Sequence, residues 1–245
     1  MEFSLQKIVK EKIKEAEILR EKRSLLSSIK KAEREKRVPI IGEIKKFSPT
    51  QKKRKNIDLK KTALEFERGG ICAISVLTDK HFEGTFDDLI EVKKTVKLPI
   101  LRKDFIVTEF QVEQSKFLGA DAILLISSLL LEKTKKMVKL AHKLGLEVLL
   151  EVHSERDLKF ALETEAKLIG INNRNLKTLK TDISNSLKLI SKIPKDKIVI
   201  TESGIKKKED LLKLLKAGAR GALIGTSLSR AKNLSKKIKE YVFAR

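Results

Sequence analysis

The sequence contains no tryptophan, one tyrosine and a single cysteine, and aromatic residues fill only 4% of its 245 positions. One thiol, Cys72, leaves no intramolecular disulfide and no cysteine-rich metal site, which agrees with a reducing compartment. No apolar run approaches the roughly 20 residues that a membrane-spanning helix needs. The N-terminal stretch mixes acids and bases from the start and lacks both an apolar core and a small-residue cleavage site, so it does not read as a secretory signal. A cytoplasmic location with no membrane partner is expected.

Basic residues are the opposite case. Lysine and arginine exceed the acids enough to give a net charge of +22, which invites a nucleic-acid reading. The scarcity of aromatics and the scatter of lysines over every amphipathic segment oppose it, because a single-strand binder needs stacking residues beside its cations. No nucleic-acid partner is expected. High Lys plus Glu with few Met and Cys resembles the composition of heat-adapted proteins, although a genome-wide bias would produce the same pattern. The histidines at 81, 142 and 153 have neither helical nor strand-paired spacing, so no metal is expected.

From residue 38 onward short apolar runs alternate with longer amphipathic segments. The runs are VPIIGEI (38–44), ICAISVLT (71–78), LPILRKD (98–104), DAILLIS (121–127), LEVLLEV (146–152), KLIGINN (167–173), KIVITES (197–203) and RGALIG (220–225). Ile, Val and Leu fill both parities, which suits parallel strands covered on both faces. Between them helical spacing recurs, as in 131–145, and FERGGICAI, KFLGADAIL, HKLGLEVLL and LKAGARGAL each run from a helix end through glycine into a strand. Eight strand–helix units predict an α/β fold, a (β/α)8 TIM barrel with an additional N-terminal helical segment. A doubly wound open sheet is the alternative, but GEIKKFSP carries no glycine-rich phosphate fingerprint after the first strand. The chain is read as one domain over 1–245, with residues 1–37 as the helical extension and 38–245 as the barrel. Ile8, Ile13, Ile18, Leu19, Leu25, Leu26 and Ile29 are the apolar positions of the extension, which either packs on the exterior or covers one barrel mouth.

The third run breaks the apolar pattern with Arg102, Lys103 and Asp104 in succession. In a barrel, reactive groups sit where strands end, because side chains there project into the mouth. Glu43 and Lys45, Lys103, Glu151, Asn172 and Arg174, and Glu202 and Ser203 occupy five such ends. Arg102 and Asp104 have the opposite parity to Lys103 and should turn toward the helices. Two lysines facing three glutamates suit general acid–base chemistry: each cation keeps a carboxylate ionised while burial lowers the lysine's own pKa. ESGI and GTSLSR, after the last two strands, each place Gly beside a hydroxyl residue at the start of a helix, which suits a phosphate.

GEIKKFSP, ISVLTDKHFEG, LRKDFI, LLEVH, GINNRNL and ESGI, in this order, resemble the motifs of the indole-3-glycerol phosphate synthase family. The resemblance covers residues 38 to about 230 and implies a cofactor-free carboxy-lyase of tryptophan biosynthesis. The implied reaction closes the ring of 1-(2-carboxyphenylamino)-1-deoxyribulose 5-phosphate with loss of carbon dioxide and water. Matching the motifs residue by residue implies Lys103, Lys45 and Glu151 as acid–base groups, with Glu43 positioning or assisting; which lysine acts in dehydration stays open. It further implies that Asn172 and Ser203 hydrogen-bond the reacting substrate and that Arg174 holds the charged network, with Glu202 also at the substrate. Ser48, Gly204, Gly225 and Thr226 fall at the phosphate, and Pro49, Phe82, Phe105 and Leu124 around the anthranilate ring. The implied partner is therefore a small phosphorylated, anthranilate-derived molecule, and a monomer is expected over an oligomer.

One departure concerns the first loop, SPTQKKRKNID, which has Thr50 and no glycine where the family pattern has Ser-Pro-Ser and then Gly. The stiffer, more basic loop is expected to affect loop motion or phosphate affinity and to spare the chemistry. A phosphoribosylanthranilate isomerase, the nearest rival, would place Cys at the first strand's end and Asp at the fifth. Lys45 and Glu151 stand there, and Cys72 begins the second strand.

Overall fold

The structure is a computed structural model that describes residues 5–47 and 57–244. Ser48, Pro49 and Thr50, with the rest of the first loop to 56, lie outside the described residues, as does the side chain of Ile8. Two helices lead the chain, α1 (Leu5–Arg20) and α2 (Leu25–Arg34). Then come β1 (Ile40–Ile44), α3 (Leu59–Arg68), β2 (Ala73–Leu77), α4 (Phe86–Thr95), β3 (Ile100–Lys103) and α5 (Glu109–Phe117). The middle runs β4 (Ala122–Ile126), α6 (Ser127–Leu130), α7 (Thr134–Lys143), β5 (Glu147–Val152), α8 (Glu155–Leu162), β6 (Leu168–Asn172) and α9 (Ser184–Ile190). The last elements are β7 (Ile198–Glu202), α10 (Lys208–Lys216), β8 (Gly221–Ile224), α11 (Thr226–Ser229) and α12 (Leu234–Val242).

All eight strands are parallel and pair in chain order, and β1 closes on β8 through Ile40–Ala222, Ile41–Leu223 and Gly42–Ile224. This is the (β/α)8 barrel expected, with every strand inside one of the eight apolar runs. Side chains of one parity, including Ile40, Ile44, Ile74, Val76, Ile123 and Ile169, pack under the helices, while Ile41, Ala73, Leu101, Leu124, Leu149, Leu168, Ile200 and Leu223 fill the interior. Capping residues start the covering helices as their side chains allow: Thr85 and Thr108 close capping boxes with Asp88 and Gln111.

The N-terminal segment is two helices, not one. Its break at residues 21–24 is held by long-range bonds: the Arg23 backbone N–H donates to Asp121, and its guanidinium donates to the carbonyls of Lys93, Val96 and Leu98. Leu25, Ile29 and Ala32 of α2 then join the interior residues and close the barrel at the N-terminal ends of the strands. Ser28 donates to the Cys72 carbonyl and Ser24 to Glu147, both at strand starts. Of the two placements left open by the sequence, α2 thus covers a mouth, and it is the mouth opposite the strand-end charges. Helix α1 lies along α4, tied by Lys94–Glu15 at 2.9 Å, and leaves Ile13 exposed where the sequence pattern had it apolar and packed.

Candidate active site

At the C-terminal ends of the strands lies a cavity of about 570 Å³, a size suited to a small-molecule ligand. It gathers every described candidate: Glu43, Lys45, Phe82, Lys103, Phe105, Leu124, Glu151, Asn172, Arg174, Glu202, Ser203, Gly204, Gly225 and Thr226. Parity does the sorting. Glu43, Lys103, Glu151, Asn172 and Glu202 share the inward register of the interior residues, so they rise from the packed core into the mouth. Arg102 points the other way and is fully buried, donating to Asp104, Thr78, Ser115 and the Gln111 carbonyl and lying 4.9 Å from the Phe86 ring centroid.

Lys103 stands between two carboxylates, 3.2 Å from Glu151 and 3.2 Å from Glu202. Lys45 forms a second group, 2.6 Å from Glu43 and 3.3 Å from the Thr226 hydroxyl across the barrel seam. Glycines make room for these carboxylates. A methyl group at position 170 would overlap the Glu202 carboxylate, and one at position 225 would overlap that of Glu43. Asn172 fixes Arg174 by accepting its backbone N–H at 2.9 Å, and the Arg174 guanidinium donates to the Leu179 carbonyl.

The electrostatics differ from the simple expectation. Burial alone would lower the Lys103 pKa, but the charges of Glu151, Glu202 and Glu43 outweigh it and push it above the usual lysine range. The lysine is therefore held as an ammonium. Burial also tends to raise Glu43 and Glu151; the charges of Lys45 and Lys103 on the first, and of Lys103 on the second, bring both below the usual carboxylate range. Glu202 goes the other way, to about 8, because burial and the negative Glu151 outweigh its share of Lys103. Two carboxylates on one lysine cannot both ionise at ordinary cost, so the pair keeps one proton near neutrality.

At the end of β7 Ser203 and Gly204 both adopt positive φ, +62° and +82°. Asn173 holds this strained turn by donating to the carbonyls of Glu202 and Ser203 and to the Thr201 hydroxyl. The turn also corrects the expectation for ESGI: α10 begins only at Lys208, so Gly204 is not at a helix start. Gly225 does directly precede the short α11. Sequence reasoning missed Asn173, although the doubled Asn in GINNRN put one amide on each face of the strand end. It also missed Lys206, Arg230 and Lys237, which line the cavity together with Gly204 and Gly225.

Among known families, the model for indole-3-glycerol phosphate synthase matches residues 3–241. The chain belongs to the indole-3-glycerol phosphate synthase family. A synthase of that name from Caldanaerobacter subterraneus is 48% identical over 208 residues, covering 84% of this chain and 80% of the relative. That of Sulfurisphaera tokodaii is 47% identical over 205 residues, covering 83% and 82%. Among solved structures, a mutant tryptophan synthase alpha-subunit from Pyrococcus furiosus superposes with a TM-score of 0.64 over 84% of this chain and 98% of its own, at 17% identity. That likeness concerns the barrel alone; the synthase assignment rests on the family match and the two relatives.

Proposed function

We propose that the cavity converts 1-(2-carboxyphenylamino)-1-deoxyribulose 5-phosphate to indole-3-glycerol phosphate, closing the pyrrole ring with loss of carbon dioxide and water. The observation that carries this reading is the Lys103 ammonium suspended between Glu151 and Glu202 in a cavity that Gly204, Gly225, Lys206, Arg230 and Lys237 also line. Family membership supplies the substrate class and the motif match supplies the roles; the geometry supports them.

The anthranilate ring lies against Phe82, Phe105 and Leu124, and the phosphate lies against Gly204, Gly225 and Thr226; the family motif assigns Pro49 to the ring and Ser48 to the phosphate. Lys103 then meets the ketone oxygen and polarises it as the aromatic carbon attacks, its raised pKa keeping it cationic for that purpose. Carbon dioxide leaves as aromaticity returns. Glu151, ionised beside Lys103, accepts a proton from the substrate in the dehydration, while a lysine ammonium delivers one to the departing hydroxyl. Lys45, with Glu43 as its partner, is the second ammonium available there. Asn172 and Ser203 hydrogen-bond the reacting atoms, and Arg174 sustains the charged network. No cofactor enters these steps. A cytoplasmic monomer is consistent with this small-molecule chemistry, and no helix among the described residues is long and apolar enough to cross a membrane.

The chain has no tryptophan, so indole fluorescence that grows after substrate is added to the purified protein reports product alone. A flat trace from folded protein would refute the synthase reading.

A further inference from the structure

Glu151 presents two carboxylate oxygens to different neighbours. Oε2 accepts from Lys103 at 3.2 Å, while Oε1 faces Nε2 of His153 at 3.2 Å. His153 follows directly after β5, two residues from Glu151 and so on the same side of the strand. Its backbone is fixed at both ends. The N–H donates to Asp157 at 2.9 Å, and the carbonyl accepts from Asn185 at 3.1 Å. The side chain is only 13% exposed. Yet neither Nδ1 nor Nε2 completes a hydrogen bond among the described residues, so the close approach to Oε1 is not an aligned one.

A buried ring with both nitrogens unmatched is uncommon and calls for a physical reason. The reaction offers one. In the free enzyme Lys103 is shared by Glu151 and Glu202. Once Lys103 turns to the substrate oxygen, Glu151 loses its cationic partner at the stage when it must stay ionised and aimed. At 3.2 Å from Oε1, Nε2 needs only a rotation of the imidazole to donate an N–H to it.

We propose that His153 is a positioning residue for Glu151, holding Oε1 through its Nε2–H tautomer while Lys103 is engaged by substrate. This inference rests on the synthase reading for its timing, but its geometry is independent of it. The imidazole keeps its proton throughout; the proton drawn from substrate resides on Glu151.

The chain has three histidines, so nitrogen-15 spectra of the imidazoles resolve His153 singly. Expected is an Nε2–H tautomer for His153 whose signals move in folded Glu151→Met. In steady-state assays His153→Phe should lower kcat roughly 10-fold, as for a lost hydrogen bond to a charged group, with KM little changed. His153→Gln, whose side-chain amide can stand in for Nε2, should recover most of that loss. An Nδ1–H tautomer, signals unmoved by Glu151→Met, or equal kcat losses in the Phe and Gln variants would overturn the proposal. If the wild-type chain made no indole product, the spectra would still decide the contact, so the two readings fail separately.

Discussion

The barrel buries a lysine against carboxylate at both of its ends, and the two groups are built on opposite plans. At the N-terminal end Lys93 is wholly buried, 2.7 and 2.9 Å from the two oxygens of Asp121, and gives its remaining donor to the Glu21 carbonyl. Asp121 also accepts the backbone N–H groups of Arg23 and Ile100. One cation meets one anion, both are saturated with hydrogen bonds, and the segment 21–24 between α1 and α2 closes over them. At the C-terminal end one lysine faces two glutamates, Oε1 of Glu202 has no partner among the described residues, and the group opens on a cavity. Burial of charge by itself therefore does not mark a site in this molecule. A surplus of carboxylate, left partly unmatched, does.

Each end of the barrel can be perturbed separately. Lys93→Met removes one partner of a saturated buried pair and should cost about 3–5 kcal/mol of stability, read from urea unfolding, with kcat per folded molecule unchanged. A kcat loss without a stability loss would assign the closed end to the reaction. At the open end Gly170→Ala drives a methyl group into the Glu202 carboxylate. Turnover should fall by roughly 10²-fold, as when a positioned acid–base group is misplaced by about 1 Å, and wild-type turnover in this variant would mean that the placement of Glu202 is immaterial.

The titration at the open end has a definite sign. Glu202 keeps its proton until about 8, above its ordinary value of 4.5, so the form with Lys103 between one ionised and one neutral carboxylate prevails below that pH. The kcat/KM profile should decline as pH rises through about 8, because that profile reports the free enzyme. Glu202→Gln should remove this limb, and a limb that persists unaltered in the variant would assign it to another group. The same shift makes folding less favourable as pH rises from 4.5 toward 8, since the unfolded chain releases this proton first. The smallest effect belongs to the rim. Glu33 pairs with the half-exposed Arg220, and Glu33→Ala should cost no more than about 1 kcal/mol; a loss rivalling Lys93→Met would show that the closed end depends on its periphery.

The barrel was legible in the sequence because each strand is covered on both faces and reads as an unbroken apolar run between helices. The ring of strand-end charges was legible for the same reason: Lys103 or Glu151 stands out only against such a run. Features fixed by distant neighbours were not. Nothing in EKRS announces that Arg23 breaks the leading helix, since the carbonyls it binds lie some 70 residues away and become neighbours only when the barrel closes. Gly170 sits in LIGIN as any glycine might, and its purpose depends on Glu202 across the β6–β7 pairing. Nor did the apolar run to 127 and the helical spacing over 131–145 show that Ser127–Leu130 forms its own turn of helix or that Leu131 takes a positive φ before α7. The first motif's Ser48 and Pro49 lie outside the described residues, so their assignment rests on the family pattern.

The most direct measurement is the rate of indole fluorescence growth for Lys103→Ala against wild type at equal concentrations of folded protein, with thermal melts of both. Expected is a turnover loss of roughly 10²–10⁴-fold, as for a positioned acid, together with a melting temperature close to that of wild type. Unchanged turnover, or a loss accounted for by unfolding, would contradict the assignment of the open-end charges to the reaction.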